Sequence, residues 1–480
     1  MATSWFATHW LAVVLFSAYA MMLVYNAVRG AKEAGVEGYY VGGRNLGGWV
    51  IGISFFATFA STNSYIGHAG KAWELGLPWL VFGNVLVLFT WVSWRYVAPR
   101  MRLYSEQLQA LTLPDYLGAR FVSDPAPQHP LRLFSALIIV FSSVLYLIAI
   151  FKGAGHLFQL FFDLSYAAAV GVTLVIVMLY TSVGGFVSVV RTDAVQGMLM
   201  LLGCALLFYF VTQAAGGVGA LWQLADQPET AHLFTLDAGM PFVVLLGIAL
   251  SGAMKLLVDP RQLSRFFALK DDTEVRRGLW VSLLGLLFIF ACLLPLGMYA
   301  RLILTGVQDT DLVVPTLVAN AAIFPVWAAD FLMVAIVAAA MSSMDSVLLV
   351  AASTLQKNLV MPFRKTQRPV GWTRWFVIVF AVVSAGLALN PPGDIVQITI
   401  FSGSLYAVCF FPAVVLGLHW RKGNATAALS SMVAGVVVLL LWLVAGLNAH
   451  LHEVFPALAV SVAVYWFISL KTPSAGKVLD

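Results

Sequence analysis

Apolar residues occur in runs of about twenty along the whole chain, separated by short polar or charged segments. Each run is long enough to cross a hydrocarbon core of about 30 Å as an α-helix. The hydropathy criterion predicts about thirteen spans, at 6–27, 46–66, 76–98, 131–160, 166–183, 187–212, 241–257, 276–300, 326–356, 372–390, 394–418, 424–446 and 454–470. The pattern therefore predicts an all-α, polytopic membrane protein.

The second span carries a polar cluster inside its apolar run. The stretch "FFATFASTNSYIGHAG", residues 55–70, contains the polar side chains of Thr58, Ser61, Thr62, Asn63 and Ser64. An unpaired backbone group in hydrocarbon costs several kcal/mol, so an unwound stretch at this depth must line a polar cavity or be buried in protein. The cluster predicts an interrupted helix.

The seventh span has the same character, because "VVLLGIALSGAMKLLVDPRQ" contains Gly252, Lys255 and Pro260. Two interrupted spans five apart, one early in each half, indicate an inverted-repeat transporter with its site near the midplane. The predicted organisation is one membrane domain over residues 1–480. It is divided into an extra N-terminal span, a first repeat, a second repeat and two C-terminal spans, at 6–27, 46–212, 241–418 and 424–470.

A stripe of small and hydroxylated residues lies in "AAAMSSMDSVLLV", residues 338–350. Ala339, Ser342, Ser343 and Ser346 fall at i, i+3, i+4 and i+7, on one helix face, and Asp345 flanks them. Such a face serves either helix packing or the binding of a hard cation such as Na+, which prefers oxygen ligands. An ionisable residue at this depth is costly unless it is paired, so Asp345 favours the functional interpretation.

Two further ionisable residues each leave two interpretations open. Lys255 either attracts the carboxylate of an anionic substrate or pairs with Asp259 one turn later. Asp193 either faces the same cavity as the stripe or pairs with Arg191.

Composition and charge exclude several classes of protein. Hydrophobic residues make up 61% of the chain, charged residues 10%, and the mean hydropathy is +0.90, which excludes a soluble globular protein. The net charge of +5 resides in short loops, where it is a topology signal and not a nucleic-acid-binding face. The first span has no preceding Lys or Arg and is interpreted as a retained span rather than a signal peptide.

The distribution of basic residues predicts an external N-terminus and a cytoplasmic C-terminus. In this orientation all but four of the 27 Lys and Arg residues lie in or beside cytoplasmic segments, Arg261 and Arg265 among them. The exceptions are Lys71, Lys152, Lys255 and Arg301.

Two other groups of residues are given structural interpretations. Cys204, Cys292 and Cys409 each lie alone in an apolar run and are expected to be small core residues without a redox role. The segment "NAHLHEVF" contains His450, His452 and Glu453, but without a third convincing ligand it is interpreted as a solvated outer loop.

Several segments together resemble the sodium/solute symporter family, which includes carriers of proline, pantothenate and sugars. They are, in the family's order, "YYVGGRNLGGWVIGISFFATFASTNSYIG", "LTLPDYLGARF", "YTSVGGFVSVVRTDAVQGMLML", "LLVDPRQLSRFFALKD", "AAAMSSMDSVLLVAAS" and "VVLGLHWRKGNATAALSSM". The resemblance implies a leucine-transporter-type fold of five plus five inverted repeats. It also implies sodium-coupled uptake by alternating access in the plasma (inner) membrane of a cell.

The resemblance also implies site residues. The main sodium site would use the carbonyls of Ala57, Ala60 and Ala339 with the hydroxyls of Ser342 and Ser343. A second cation site would use Asp193, Ser342, Asp345 and Ser346, with a proton as an alternative to sodium because relatives often have a hydroxyl residue in place of Asp345. The substrate positions would be Thr62, Asn63, Ser64, Gly83, Asn84, Lys255, Phe401, Ser402 and Tyr406.

The expected substrate is a small organic anion such as a monocarboxylate or pantothenate, with an amino acid or a sugar as alternatives. Gly83 and Lys255 argue against a sugar, because sugar carriers have polar or aromatic residues there. The chain is expected to work as a monomer in the lipid bilayer, without nucleic acid and without catalysis. A membrane enzyme would need acids, bases or metal ligands gathered together, and a sensor would need a signalling domain.

Overall fold

The computed structural model describes residues 8–33, 36–122, 126–236, 239–364 and 368–472. The helices of the first half, numbered in chain order, are α1 (Trp10–Glu33), α2 (Val36–Val41), α3 (Gly48–Phe59), α4 (His68–Leu75), α5 (Leu80–Val92), α6 (Ala98–Gln107), α7 (Leu113–Phe121), α8 (Pro130–Phe162) and α9 (Tyr166–Ala214). Those of the second half are α10 (Phe242–Val258), α11 (Pro260–Ala268), α12 (Asp272–Leu293), α13 (Leu296–Ala300), α14 (Val313–Val318), α15 (Val326–Thr354), α16 (Pro369–Ala388), α17 (Ile395–Phe410), α18 (Gly417–His419), α19 (Ala425–Val444) and α20 (Val454–Lys471).

The predicted number of about thirteen spans exceeds the number of full-length spans among the described residues. Within the described ranges, 11 helical segments are long and apolar enough to cross a membrane. Two shorter apolar helices, Gly48–Phe59 and Tyr166–Met178, lie where the second and fifth spans are predicted. The all-helical membrane architecture is therefore confirmed.

The interruption predicted in the second span lies directly after α3. This helix ends at Phe59, and Ala60 is extended, with φ −75° and ψ 99°. A π-helical turn over Asn63–Gly67 then leads into α4. The last turn of α3 consequently has carbonyl groups without a partner in their own helix.

The second interruption lies between α10 and α11. Asp259 is extended, with φ −64° and ψ 125°, and its side chain caps α11 by accepting a hydrogen bond of 2.9 Å from the Arg261 N–H. Pro260 follows as the first helical residue, where its missing N–H costs nothing. Gly252 does not break α10. It allows close packing, because a Cβ there would lie 2.9 Å from the Phe82 ring.

The fifth and sixth predicted spans differ from expectation in their connection. They form the single helical run α9, in which Gly185 alone leaves helical geometry, with φ 68° and ψ −175°. The positive φ favours glycine, and a Cβ at this position would also lie 2.6 Å from the Tyr39 ring. The two predicted spans are therefore joined by a break in the helix at Gly185, and not by the loop that the hydropathy pattern suggested.

Helix α15 lies at the centre of the molecule. Of its most apolar 18-residue window, 94% is buried, compared with 22% for the window in α1. Helices α1, α3, α8, α9 and α16 all pack against it. The hydroxylated stripe therefore faces protein and not lipid. Asp330, on the same helix, holds the N-terminal span in place by accepting hydrogen bonds from His9 Nδ1 (2.6 Å) and the Ala12 N–H (3.1 Å).

Lys152, one of the four topological exceptions, is paired. Its Nζ lies 2.6 Å from Asp311 Oδ2 and 3.3 Å from the Gly393 carbonyl oxygen. The same Asp311 oxygen accepts a hydrogen bond of 3.2 Å from the N–H of Ile395, at the start of α17. This buried ion pair ties α8 to α17 and to the segment before α14.

The solvated-loop interpretation of "NAHLHEVF" is wrong for two of its three candidates. His450 is exposed, but His452 and Glu453 are 6% and 4% exposed. Ser404 donates a hydrogen bond of 2.9 Å to Glu453 Oε1, which draws the start of α20 onto α17. The polar residues of this segment indicated a solvated outer loop because sequence gives no information on their buried partners. The three cysteines are free and buried, as expected.

Asp115 connects three elements. It accepts hydrogen bonds from Thr112 N–H and from Asn358 Nδ2, and it forms ion pairs with Arg132 and with Lys357, whose Nζ lies at 2.7 Å. Burial by itself raises the pKa of Asp115, but the charges of Lys357 and Arg132 hold that pKa below its usual range. Asp115 therefore links α7 to α8 and to the π-helical segment Leu355–Val360 that follows α15.

We expect Asp115→Asn to lower the free energy of unfolding by about 3 kcal/mol, because it leaves buried cations without their countercharge. The depressed pKa means that the stabilisation is full above the unfolded carboxyl pKa of about 3.9 and is lost as the pH falls through the folded value. Thermal unfolding of detergent-solubilised protein at several pH values measures both effects. Asp272→Asn is the control, since Asp272 pairs with Arg102 while 72% of its side chain is exposed. An equal loss in both variants would contradict this role.

Candidate functional site

The hydroxylated stripe of α15 meets the open end of α3. Ser342 Oγ lies 2.9 Å from the Ala57 carbonyl oxygen and 3.0 Å from that of Ala339. Ser343 Oγ lies 2.9 Å from the carbonyl oxygen of Thr58. All of these residues are completely buried. The interruption of α3 and the stripe thus form one cluster of oxygen atoms.

The chemistry of this cluster suits a hard cation. Its oxygens are carbonyl and hydroxyl groups, which alkali ions and other hard cations prefer as ligands. Among the residues that the structure describes, no group of three or more His, Cys, Asp or Glu is placed to hold a metal ion. Four of the five predicted ligands are in contact with this cluster. The carbonyl oxygens of Ala57 and Ala339 both contact the Ser342 hydroxyl, and the Ser343 hydroxyl contacts the adjacent carbonyl oxygen of Thr58. Ala60, the fifth, is the first extended residue after α3.

Asp193 is brought to the same region as the stripe, as one of its two interpretations predicted, and its ion-pair partner is Arg265 rather than Arg191. Its Oδ2 lies 2.8 Å from Arg265 Nη2 and 2.5 Å from Ser54 Oγ, and Asp193 and Arg265 are 0% and 1% exposed. Arg265 Nη2 also donates to Ser346 Oγ, at 2.8 Å, and to Thr58 Oγ1. The structure therefore gathers Asp193 and Ser346 around the guanidinium group of Arg265. Asp345 accepts a hydrogen bond of 2.5 Å from Thr181, on the first part of α9.

A second polar cluster lies where α10 and α11 separate. Lys255 is 3% exposed, and its Nζ donates a hydrogen bond of 2.6 Å to the Thr399 carbonyl oxygen. The Tyr146 ring lies 4.6 Å from this ammonium group and 4.1 Å from the guanidinium of Arg261. Asp259 is paired with Arg261 at 2.5 Å, so the structure does not pair it with Lys255.

Tyr146 connects the two interruptions. Its hydroxyl donates a hydrogen bond of 3.2 Å to Ser61 Oγ, just after α3, while its ring faces Lys255 and Arg261. Tyr146 was not predicted from sequence, because a tyrosine in the middle of α8 has no distinguishing spacing. Arg261 and Arg265 were interpreted from sequence as topology markers. Their separation by four residues, directly after a helix break, is the signal that could have identified them.

Unpartnered polar atoms surround the unwound segment. Among the described residues, four buried side-chain atoms have no hydrogen-bond partner here: Thr62 Oγ1, Asn63 Oδ1, Ser64 Oγ and Ser142 Oγ. Leaving such a group unsatisfied costs about 1–3 kcal/mol. Their concentration beside Tyr146 and the α3 interruption suits a polar ligand.

The remaining predicted solute residues fall into two groups. Ser402 and Tyr406 are buried against α8, where Ser402 Oγ donates to the Ser142 carbonyl oxygen at 3.2 Å and the Tyr406 hydroxyl lies 3.4 Å from Ser143 Oγ. Phe401, beside Ser402, is half-buried.

Gly83 and Asn84 are not brought to this cluster. Gly83 allows close helix packing, since a Cβ there would lie 2.2 Å from the Leu294 side chain. Asn84 is exposed and donates to the Leu80 carbonyl oxygen of its own helix, at 2.9 Å.

Known proteins resemble the chain over most of its length. The model of the sodium:solute symporter family matches residues 39–435. The osmoregulated proline transporter of Bacillus subtilis is 29% identical over 463 residues, covering 93% of this chain and 92% of the relative. The sodium/pantothenate symporter of Haemophilus influenzae is 26% identical, covering 92% of each chain. The sodium/proline symporter of Escherichia coli is 27% identical, covering 96% of this chain and 94% of the relative.

Solved structures show the fold. A sodium-coupled sialic acid symporter superposes with a TM-score of 0.83 at 18% identity, covering 98% of this chain and 99% of the other. A transporter of the nucleobase-cation-symport-1 family gives a TM-score of 0.56 at 13% identity, covering 92% and 96%. The predicted leucine-transporter-type fold is confirmed.

We expect Tyr146→Leu to destabilise the protein by about 2 kcal/mol or more, because it removes the aromatic face that two buried cations share. Tyr146→Phe is the matched variant: it keeps the ring, loses only the hydrogen bond to Ser61, and should cost about 1 kcal/mol. Thermal unfolding of the two purified variants separates the contributions. Similar stability of Tyr146→Leu and Tyr146→Phe would show that the ring does not stabilise the cations.

Proposed function

Because the chain belongs to the sodium:solute symporter family, we propose that it imports a small organic anion, a monocarboxylate or a pantothenate-like molecule, together with Na+ by alternating access. Family membership makes the chain a multi-pass membrane transporter rather than an enzyme, with sodium as the coupling ion. The choice of an anion rests on one observation, the uncompensated positive charge at Lys255.

Lys255 has a basic environment. Among the described residues, no carboxylate lies within ion-pair distance of its ammonium group, and the nearby Asp259 is paired with Arg261. The cluster of Lys255, Arg261 and Asp259 consequently carries a formal charge of one positive unit. The hydrogen bond to the Thr399 carbonyl oxygen does not neutralise this charge, and a buried charge without a countercharge is costly. A substrate carboxylate beside Lys255 would supply the missing countercharge.

The proposed solute site lies between the two helix interruptions. Lys255 would bind the carboxylate, and the unpartnered polar atoms of Thr62, Asn63 and Ser64 would bind polar groups elsewhere on the solute. Phe401, Ser402 and Tyr406 would line the side formed by α17. Gly83 and Asn84 are left out, since one serves packing and the other is exposed.

The proposed sodium site is the oxygen cluster between α3 and α15. Its ligands would be the carbonyl oxygens of Ala57, Ala60 and Ala339 and the hydroxyls of Ser342 and Ser343. The contacts of both hydroxyls with carbonyls of the last α3 turn support this assignment. The arrangement makes the ion a bridge between an interrupted helix and a continuous one.

An amino acid is the second candidate, favoured by the proline-transporting relatives. Its carboxylate would pair with Lys255 in the same way. Its ammonium group, however, would need an acceptor, for which Asn63 Oδ1 and Ser64 Oγ are available among the described residues.

The remaining proposals concern organisation in the membrane. The broken helices α3–α4 and α10–α11 would open two inverted repeats, 46–212 and 241–418, preceded by the span 6–27 and followed by 424–470. The distribution of basic residues supports an external N-terminus and a cytoplasmic C-terminus in the inner membrane. A solute site formed within one chain supports a monomer as the functional unit.

We expect Ser343→Ala to weaken the apparent affinity for Na+ by about ten- to a hundredfold, because a hydrogen bond or ligand oxygen to a charged group contributes about 1.5–3 kcal/mol. The measurement is the Na+-dependent rise in melting temperature, with choline as the reference cation. Ser353→Ala is the control, since Ser353, on the same helix, has the Val350 carbonyl oxygen as its one hydrogen-bond partner among the described residues. An unchanged Na+ response in Ser343→Ala would show that the cation site is elsewhere.

We expect Lys255→Ala to abolish stabilisation by carboxylates. The wild type is screened by thermal shift against small carboxylates, amino acids and sugars, with and without Na+, and the stabilising effect of the true substrate should grow when Na+ is present.

The apparent affinity for a stabilising carboxylate should fall at least about a hundredfold in Lys255→Ala, since a buried ion pair broken on one side costs about 3–5 kcal/mol. Lys152→Ala removes another buried lysine outside the proposed site and controls for loss of stability. Transport of a carboxylate by Lys255→Ala with unchanged affinity would refute the charge pairing.

A further inference from the structure

The side chain of Arg265 lies in a pocket lined by oxygen atoms of the kind that bind cations. Its Nη2 contacts Asp193 Oδ2 and Ser346 Oγ, each at 2.8 Å, and Thr58 Oγ1. These three oxygens come from α9, α15 and α3, and all three residues are buried. A carboxylate and two hydroxyls converging from different helices are an oxygen set that a free alkali ion could also use.

We infer that the guanidinium group of Arg265 is a permanent cation in this pocket, so that the protein binds one sodium ion per cycle and not two. The inference rests on the proposed sodium site between α3 and α15. It concerns the neighbouring pocket, which shares Thr58 with that site: the Thr58 carbonyl oxygen accepts from Ser343, while its hydroxyl faces Arg265.

The remaining donors of Arg265 fix it to the protein. Its Nε donates to Ser54 Oγ at 2.8 Å, and its Nη1 donates to the carbonyl oxygen of Arg261, one turn earlier on α11, at 2.8 Å. All three guanidinium nitrogens therefore have partners. The cation is covalently part of α11 and cannot dissociate on either side of the membrane.

The charge balance of the pocket also disfavours a bound sodium ion. Asp193 and Arg265 are 0% and 1% exposed, and together they are formally neutral. A sodium ion added to the pocket would introduce a net buried positive charge, which is costly in a membrane interior. The guanidinium group also occupies the side of Asp193 that faces the two hydroxyls, since it contacts Oδ2, the same oxygen that accepts from Thr58. Arg265 thus excludes an ion from these three oxygens both by charge and by volume.

Counting bound ions on the intact, purified protein tests the inference. The probe is ²²Na+ alone, measured by equilibrium scintillation proximity without any solute. We expect one ion per wild-type protein and two per Arg265→Gln protein, because the neutral side chain leaves Asp193 free to bind Na+. Arg265→Lys keeps the charge and should remain at one ion. The double variant Asp193→Asn with Arg265→Gln removes both charges and should also return to one.

Ser343→Ala separates this inference from the proposed sodium site. Combined with wild-type Arg265, it should abolish high-affinity ²²Na+ binding, whereas combined with Arg265→Gln it should leave one ion bound. A wild type that binds two ions overturns the inference, as does a folded Arg265→Gln variant that binds only one. If Arg265→Gln does not fold, Asp193→Asn decides, because loss of a bound ion in this variant would show that Asp193 holds sodium. Absence of all binding to the wild type would instead refute the proposed sodium site.

Discussion

The structure depends on satisfying the backbone at two places where helices stop inside an apolar environment. Hydrocarbon offers no hydrogen bonds, so each free carbonyl or N–H must find a partner in the protein or in a bound ligand. At the end of α3 the partners are hydroxyls of α15, and at the start of α11 the partner is the side chain of Asp259. The polar residues in these spans are therefore a consequence of the interruptions, and the interruptions provide the binding chemistry.

The two interruptions are satisfied in different ways, and the difference defines the site. The free carbonyl groups at the end of α3 meet hydroxyl oxygens without formal charge, whereas basic side chains gather where α10 and α11 separate. The first environment suits a small cation and the second an anion. Tyr146 lies between them, bonded to Ser61 on one side and facing Lys255 on the other. Cation and solute are thus expected to share the interrupted helix α3–α4, with α15 completing the cation site and α10–α11 completing the solute site.

Sequence alone predicted the elements of this architecture better than their partners. The run of Thr58 to Ser64 located the first interruption, and the periodicity of Ser342, Ser343 and Ser346 located the face that meets it. The pairing of Asp193 with Arg265 was out of reach, because 72 residues separate them and each had a nearer candidate partner or role. Glu453 was misplaced for the same reason, since Ser404 is distant in sequence. Periodicity identifies faces, but it does not identify which faces meet.

The fixed guanidinium of Arg265 has an electrical consequence. With Asp193 neutralised by a residue that stays in the protein, the proposed cargo of each cycle is one sodium ion and one monovalent anion. Their charges cancel, so the membrane voltage does no net work over a complete cycle. Accumulation would then follow the ratio of sodium concentrations alone, about tenfold for each 1.4 kcal/mol stored in that ratio. Such a carrier would still accumulate solute in a depolarised cell but would not accumulate it once the sodium concentrations became equal.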